Sequence, residues 1–231
     1  MLHLEKTEIS QGAFHLSANW SAQTREIIAL IGPSGGGKSS LLMAIAGFLQ
    51  PSAGRMLWQG RDLTPLDPSQ RPVSILFQDQ NLFPHLTIAQ NLGLALAPNL
   101  RLGRDQTARI AAVLDRLGLT GLGKRRPADL SGGQQGRAAL GRVLLQDRPV
   151  LLLDEPFAAL GPALKTDLLT LVRDLATEAG TLVLLVTHDP ADAKRFAGRT
   201  VLVADGLAHP PVETAALFAD PPQALRDYLG G

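Results

Sequence analysis

The chain has 231 residues, 45% of them hydrophobic, enough for one sizeable core in a single large domain. Its 22 basic and 21 acidic side chains leave a formal charge of +1, which argues against a dedicated nucleic-acid binder, since those carry a basic excess. No cysteine is present, so disulfides, thiolate catalysis and cysteine-based zinc sites are excluded.

No stretch approaches the ~18 apolar residues of a membrane span. The opening "MLHLEKTEIS" has early acids and no apolar core, so it does not read as a secretory signal. A soluble, cytoplasmic polypeptide is expected, free to dock on a membrane protein. In chain order, "IIALI" (27–31) is a short apolar run with β-branched residues and reads as a buried strand. "GPSGGGKSS" follows, then a helix from "LLMAIAGFL" (41–49), closed by "QPSAG". "VSILF" (73–77) is a second strand after the proline-rich "PLDPSQRP". From about 82 to 145 the pattern turns mostly helical. "VLLLD" (150–154) and "TLVLLV" (181–186) are apolar strands flanking an amphipathic helix that ends at Gly180, and "TVLVADG" (200–206) reads as an edge or late strand. Near-continuous apolar strands alternating with helices imply a parallel sheet covered on both faces. The tail "HPPVETAALFADPPQALRDYLGG" adds no second domain.

The stretch Gly32, Pro33, Ser34, Gly35, Gly36, Gly37, Lys38, Ser39 fits the phosphate-loop spacing G-x-x-x-x-G-K-[ST], between a strand and a helix as that pattern requires. Glycines let the backbone wrap a polyphosphate with its N–H groups inward, and the helix N-terminus adds partial positive charge. Lys38 is placed to bridge the β- and γ-phosphates and Ser39 to put its hydroxyl on Mg²⁺, with Ser40 completing the nucleotide contacts. Asp154 and Glu155 close the apolar run "VLLLDEP", at the strand end where open α/β sheets bind ligands. Adjacent strand residues face opposite ways, so the two acids are expected to differ: Asp154 holds Mg²⁺, and Glu155 faces the γ-phosphate and polarises the attacking water. Taken singly, each has a plainer reading, a glycine turn with an exposed lysine and an acid that caps a turn before Pro156.

"LSGGQ" (130–134) adds a second glycine turn: Ser131 is a good N-cap, and Gly132 and Gly133 leave backbone N–H groups uncovered at a helix start. With "GPSGGGKSS", "LFQ", "LSGGQ", "LLLDEP" and "VTHD" in that order, nearly the whole chain resembles the ATP-binding-cassette (ABC) ATPases. The resemblance implies an α/β phosphate-loop NTPase fold with a parallel core sheet, an N-terminal antiparallel β part and a helical subdomain inserted at about 82–145, all in one domain spanning 1–231. It implies a head-to-tail homodimer in which ATP lies between Lys38 of one copy and Ser131, Gly132, Gly133 and Gln134 of the other. Gln78 is similar to the family's glutamine that senses Mg²⁺ and the γ-phosphate, and His188 to the histidine that contacts the γ-phosphate and orients Glu155 and water.

Three places depart from the family pattern. "AALG" puts Gly161 where an aspartate is usual; "QGR" puts Gly136 inside a helix, at a cost of roughly 0.5–1 kcal/mol relative to Ala; and "EKTEISQGAF" offers no Tyr or Trp to stack on adenine, its Phe14 reading as part of a strand. The segment 71–96 is similar to bacterial importers of small solutes, where it grips a membrane subunit. Its wording, with "LVADG" near the end, is closest to the ATPases of thiamine importers; those of iron, sulfate and polyamine importers share much of it. The implied partners are integral-membrane permease subunits and, through them, a periplasmic solute-binding protein, with no nucleic acid. The implied location is the cytoplasmic face of the inner membrane. A soluble ABC ATPase outside transport and a small-molecule kinase are the competing classes, separated from the first by copurification with a membrane protein and by phosphate release without a phosphorylated acceptor.

Overall fold

Two kinds of strand follow from two kinds of sequence. Strands that alternate polar and apolar residues bury one face, whereas continuous apolar runs are buried on both. The computed structural model describes residues 1–79 and 81–230; Gln80, in the distinctive stretch 71–96, and Gly231, at the end of the tail, lie outside the described residues. In chain order come β1 (Leu2–Gln11), β2 (Phe14–Ala22), β3 (Ile27–Ile31), α1 (Lys38–Ala46), β4 (Ala53–Trp58), β5 (Arg61–Asp62), β6 (Val73–Leu76), α2 (Ile88–Gly93), α3 (Arg104–Arg116) and α4 (Gly132–Leu144). Then follow β7 (Val150–Asp154), α5 (Pro162–Ala179), β8 (Leu182–Val186), α6 (Pro190–Phe196), β9 (Arg199–Ala204), β10 (Leu207–Ala208), β11 (Val212–Glu213), α7 (Thr214–Ala219) and α8 (Gln223–Leu229). No helix among the described residues is long and apolar enough to cross a membrane.

The chain divides into two compact units. The first comprises Met1–Val73, Pro149–Glu155 and Arg173–Gly231. Its sheet runs in the order β5-β4-β1-β2-β10-β9-β3-β8-β7, with β11 pairing β9. The half built from β1, β2, β4 and β5 is antiparallel, and β1 alternates buried and accessible positions as a one-sided strand should. In the other half β9, β3, β8 and β7 are parallel and almost wholly buried. The strand expected at 200–206 is therefore no edge: β9 lies between β3 and β10. Its residues are as apolar as those of β7, and only pairing with a strand far away in sequence reveals the difference. The tail folds back onto this sheet, with Leu217 of α7 and Leu225 of α8 buried against Ala29, Ile31, Leu202 and Ala204.

The second unit comprises Ser74–Arg148 and Pro156–Val172, and the expected insertion at about 82–145 lies inside it. Here α2, α3 and α4 pack on one another, burying Ile88, Leu92, Ile110, Leu114 and Leu140. The buried amide of Asn91 shapes the preceding loop, accepting from Phe83 N at 2.7 Å and donating to the carbonyls of Phe83, Leu86 and Thr87.

Within the first unit, α1 has an unusual anchor. It ends at Gly47 in the left-handed region, φ 91°. Against that end lies Arg71, fully buried at 0% exposure. Its guanidinium donates to Ala44 O and Ile45 O at the end of α1, and to Leu66 O and Thr64 O in the following loop. A cation at the negative end of the helix dipole, donating to the Ile45 carbonyl and sharing the Ala44 carbonyl with the N–H of Gly47, explains why a charge tolerates burial here. Arg71→Leu keeps the apolar stem but removes the guanidinium donations to all four carbonyls, leaving Ala44 O with the Gly47 N–H. It is expected to cost roughly 3 kcal/mol, a fall in Tm on the order of 6–12 °C for a domain of this size. Thermal melts followed by circular dichroism measure this; an unchanged Tm would show that the anchor contributes nothing.

Candidate functional site

The loop after β3 is shaped by what it must pass. Gly32 has φ 144°, and a Cβ on it would lie 2.0 Å from the carbonyl oxygen of Val203 in β9, so no other residue fits between the strands. Gly37, φ 100°, immediately precedes α1, and a Cβ there would meet the ring of Phe14 at 2.5 Å. Lys38 opens α1 with its side chain curled back: Nζ donates to Gly32 O and Pro33 O, both at 2.8 Å. The ammonium is thereby fixed over the concave side of the loop. Ser39 Oγ donates to Asp154 Oδ1 at 2.9 Å, tying the start of α1 to the end of β7.

Glu155 lies beyond the strand. The alternation expected for the acidic pair does not describe it, because β7 ends at Asp154 and Glu155 takes φ 45°, a left-handed conformation rare outside glycine. This turn, fixed by Glu155 N donating to Val186 O, swings the carboxylate toward the loop after β8. There Glu155 Oε2 lies 3.0 Å from His188 Nδ1. Backbone strain of this kind, at a residue whose side chain is held by a specific partner, is common where geometry serves a function.

Lys38, Ser39, Asp154, Glu155 and His188 thus meet at the carboxyl ends of β3, β7 and β8, all within the first unit. Burial is the main cause that lowers the pKa of the Lys38 ammonium, opposed by the charges of Glu155 and Asp154. Burial likewise pushes the Asp154 carboxyl up, with Glu155 adding to the rise while the Ser39 hydrogen bond and Lys38 oppose it. An open cleft of about 250 Å³ lies over the loop, lined by Ser34, Lys38, Ser39, Ser40 and Glu155 together with Gln11 and Phe14. The sequence did not single out Gln11, and it set Phe14 aside as a strand residue. Phe14 is a strand residue as expected, but the tight turn between β1 and β2 also carries its ring against Gly37; being the sole aromatic of that segment was the available signal.

The remaining expected residues belong to the second unit. Gln78 follows β6 and is exposed. Ser131 is the N-cap of α4 in a reciprocal arrangement: its Oγ accepts from Gln134 N at 3.4 Å, while its own N–H donates to Gln134 Oε1 at 3.0 Å. Because the oxygen is used as an acceptor, the hydroxyl proton stays available to an anion. Gly132 is exposed, Gly133 is buried against Leu164, and Gly136 is buried within α4. Gly161 has open space where a side chain would stand; nothing in the structure explains that departure. No group of three or more His, Asp or Glu residues able to hold a metal alone is present among the described residues. The nearest donor set is the Ser39 hydroxyl with the Asp154 carboxylate.

Residues 16–158 match the family model described as ABC transporter. The chain is 66% identical over 230 residues to the thiamine import ATP-binding protein ThiQ of Cereibacter sphaeroides, covering 100% of both. It is 47% identical over 205 residues to the protein of that name from Escherichia coli, covering 88% of each. Among solved structures, the dimeric structure of a post-hydrolysis state of the ATP-binding cassette MJ0796 bound to ADP and Pi matches with a TM-score of 0.79 and 29% identity, over 93% of this chain and 99% of that one.

The raised pKa of Asp154 carries a stability consequence. A carboxyl whose folded pKa exceeds its unfolded one binds more protons when folded, so its contribution to stability falls as pH rises through that interval. Asp154→Asn, which can still accept from Ser39, is expected to raise the melting temperature at neutral pH. The gain should shrink as pH is lowered toward the 3.8 of an ordinary aspartate. Parallel melts of both proteins across pH test this, and a variant less stable than its parent at pH 7 contradicts it.

Proposed function

Since the chain belongs to the ABC transporter family, we propose that it is the ATP-hydrolysing subunit of a thiamine importer and that its copies close head to tail over ATP. The observation that carries the catalytic reading is the meeting of Lys38, Ser39, Asp154, Glu155 and His188 at one edge of the sheet. The loop Gly32 to Lys38 wraps the β- and γ-phosphates with backbone N–H groups. Lys38 exchanges its loop carbonyls for phosphate oxygens, and an anionic ligand offsets the burial that lowers its pKa. Phe14 supplies the flat apolar wall against which an adenine packs, with Gln11 beside it.

A hydroxyl and a carboxylate 2.9 Å apart form an all-oxygen set, which suits Mg²⁺, a hard cation that keeps several waters and shares its shell with substrate phosphates. Ser39 and Asp154 would hold it, and it would neutralise charge on the phosphate oxygens. Glu155 accepts the proton of the attacking water as general base. His188, hydrogen-bonded to the same carboxylate, fixes its rotamer and reaches toward the γ-phosphate. The Ser131 hydroxyl and the N–H groups of Gly132 and Gly133, with Gln134 holding their geometry, supply the lid from a second copy. Most of the rate then comes from positioning and charge stabilisation rather than covalent chemistry.

The identity of the solute rests on relatives aligned over the full chain and bearing the name thiamine import ATP-binding protein. By the same reading the chain works with integral-membrane permease subunits and a periplasmic solute-binding protein, at the cytoplasmic face of the membrane. The chain reconstituted with such subunits is expected to release phosphate faster when thiamine is supplied; stimulation by iron, sulfate or polyamine instead would reassign the solute. Glu155→Gln should keep ATP binding and lower hydrolysis by ~10²-fold or more, holding the ATP-bound dimer together on a sizing column. Lys38→Ala should weaken binding itself. Phosphate release from Glu155→Gln at the parent's rate removes Glu155 as the base.

A further inference from the structure

The loop bearing His188 is held from a direction the motifs do not announce. The peptide between His188 and Asp189 is gripped at both ends. Its N–H, on Asp189, donates to Thr187 Oγ1 at 3.1 Å, and its carbonyl, on His188, accepts from the hydroxyl of Tyr228 at 2.6 Å. Thr187 is itself fixed, donating to Asp192 Oδ2 of α6 at 2.6 Å. Clamping that peptide sets the backbone torsion after His188 and so the direction in which its imidazole leaves the chain. The need for such a clamp is plain from exposure: the His188 side chain is 58% accessible, so packing does little to select its rotamer.

Tyr228 comes from α8, next to the C-terminus and outside every nucleotide motif. It is the chain's one tyrosine. Its ring leans on the core cluster that buries Leu225, which anchors the helix at 0% exposure. The phenol is kept protonated: burial first, then the charges of Glu155 and Asp189, push its pKa above the ordinary tyrosine value, so it remains a donor at physiological pH.

We propose that Tyr228 is a positioning residue for ATP hydrolysis: by donating to the backbone carbonyl of His188 it holds the imidazole against Glu155, making the C-terminal helix part of the catalytic apparatus. This rests on the roles given above to His188 and Glu155. The residue acts through the peptide it grips.

Tyr228→Phe removes the one hydroxyl and keeps the ring. It is expected to lower kcat about fivefold, the worth of one neutral hydrogen bond, while KM for ATP stays at the parent's value and the melting temperature falls by no more than about 2–4 °C. Tyr228→Leu, which also loses the ring, should lower kcat at least as far and drop the melting temperature further. In a His188→Ala background, Tyr228→Phe should bring no further loss, because the group it orients is gone; the double-mutant cycle then reports a coupling equal to the single effect. An unchanged kcat in Tyr228→Phe overturns the proposal, as does a loss that recurs in full on the His188→Ala background. Should His188→Ala itself hydrolyse ATP at the parent's rate, the role assigned to His188 fails, and the positioning role with it. Comparing the single variants tells the two failures apart.

Discussion

A lysine ammonium and two carboxylates brought together at the edge of an apolar sheet set the terms for everything around them. Each charge loses hydration there, and the structure must return it in fixed dipoles. It does so with two backbone carbonyls of the loop for Lys38 and a serine hydroxyl for Asp154. Carbonyls and hydroxyls set in a rigid frame recover solvation without neutralising the charges, so the site keeps the field that a triphosphate needs. The frame in turn depends on one close approach, Gly32 against the Val203 carbonyl. That contact locks the loop to the sheet through a strand that follows it by more than half the chain.

Such a frame has to be stiff on its far side too. Helix α1 carries Lys38 and Ser39 at one end and rests on Arg71 at the other. A buried guanidinium serves here as a mechanical stop: it satisfies the carbonyls of the last turn, and Gly47 leaves it room. The residues that bind and the residues that brace therefore sit at opposite ends of a nine-residue rod. Errors at the brace would be felt as displacement at the cradle.

How much of this could be read from the amino-acid sequence depends on the range of the interaction. The runs 27–31 and 150–154 and the helix N-cap at Ser131 were legible because their signals are local: apolar runs, glycine spacing, a cap three residues from its amide. The acidic pair was legible as a pair but not as a shape, since a left-handed Glu155 leaves no trace in composition. The central place of β9 was hidden because its neighbours are set by pairing of Ile28 with Arg199 and Leu30 with Val201. Phe14 and Tyr228 were hidden for a related reason. One is a lone aromatic beside a turn and the other sits in a tail rich in proline and alanine. Only the folded chain carries the first over Gly37 and the second to the carbonyl of His188.

The reciprocal hydrogen bonds between Ser131 and Gln134 have a kinetic meaning. If this turn closes over the nucleotide of a second copy, as proposed, a shape already locked leaves little ordering entropy to lose at encounter. Productive collisions between two such subunits then need correct orientation only, and the association rate should sit in the ordinary range for rigid partners. The duration of the closed state is left to dissociation, and so to whether the terminal phosphate is still attached. A preformed turn makes the lifetime of the pair a clock wound by one bond.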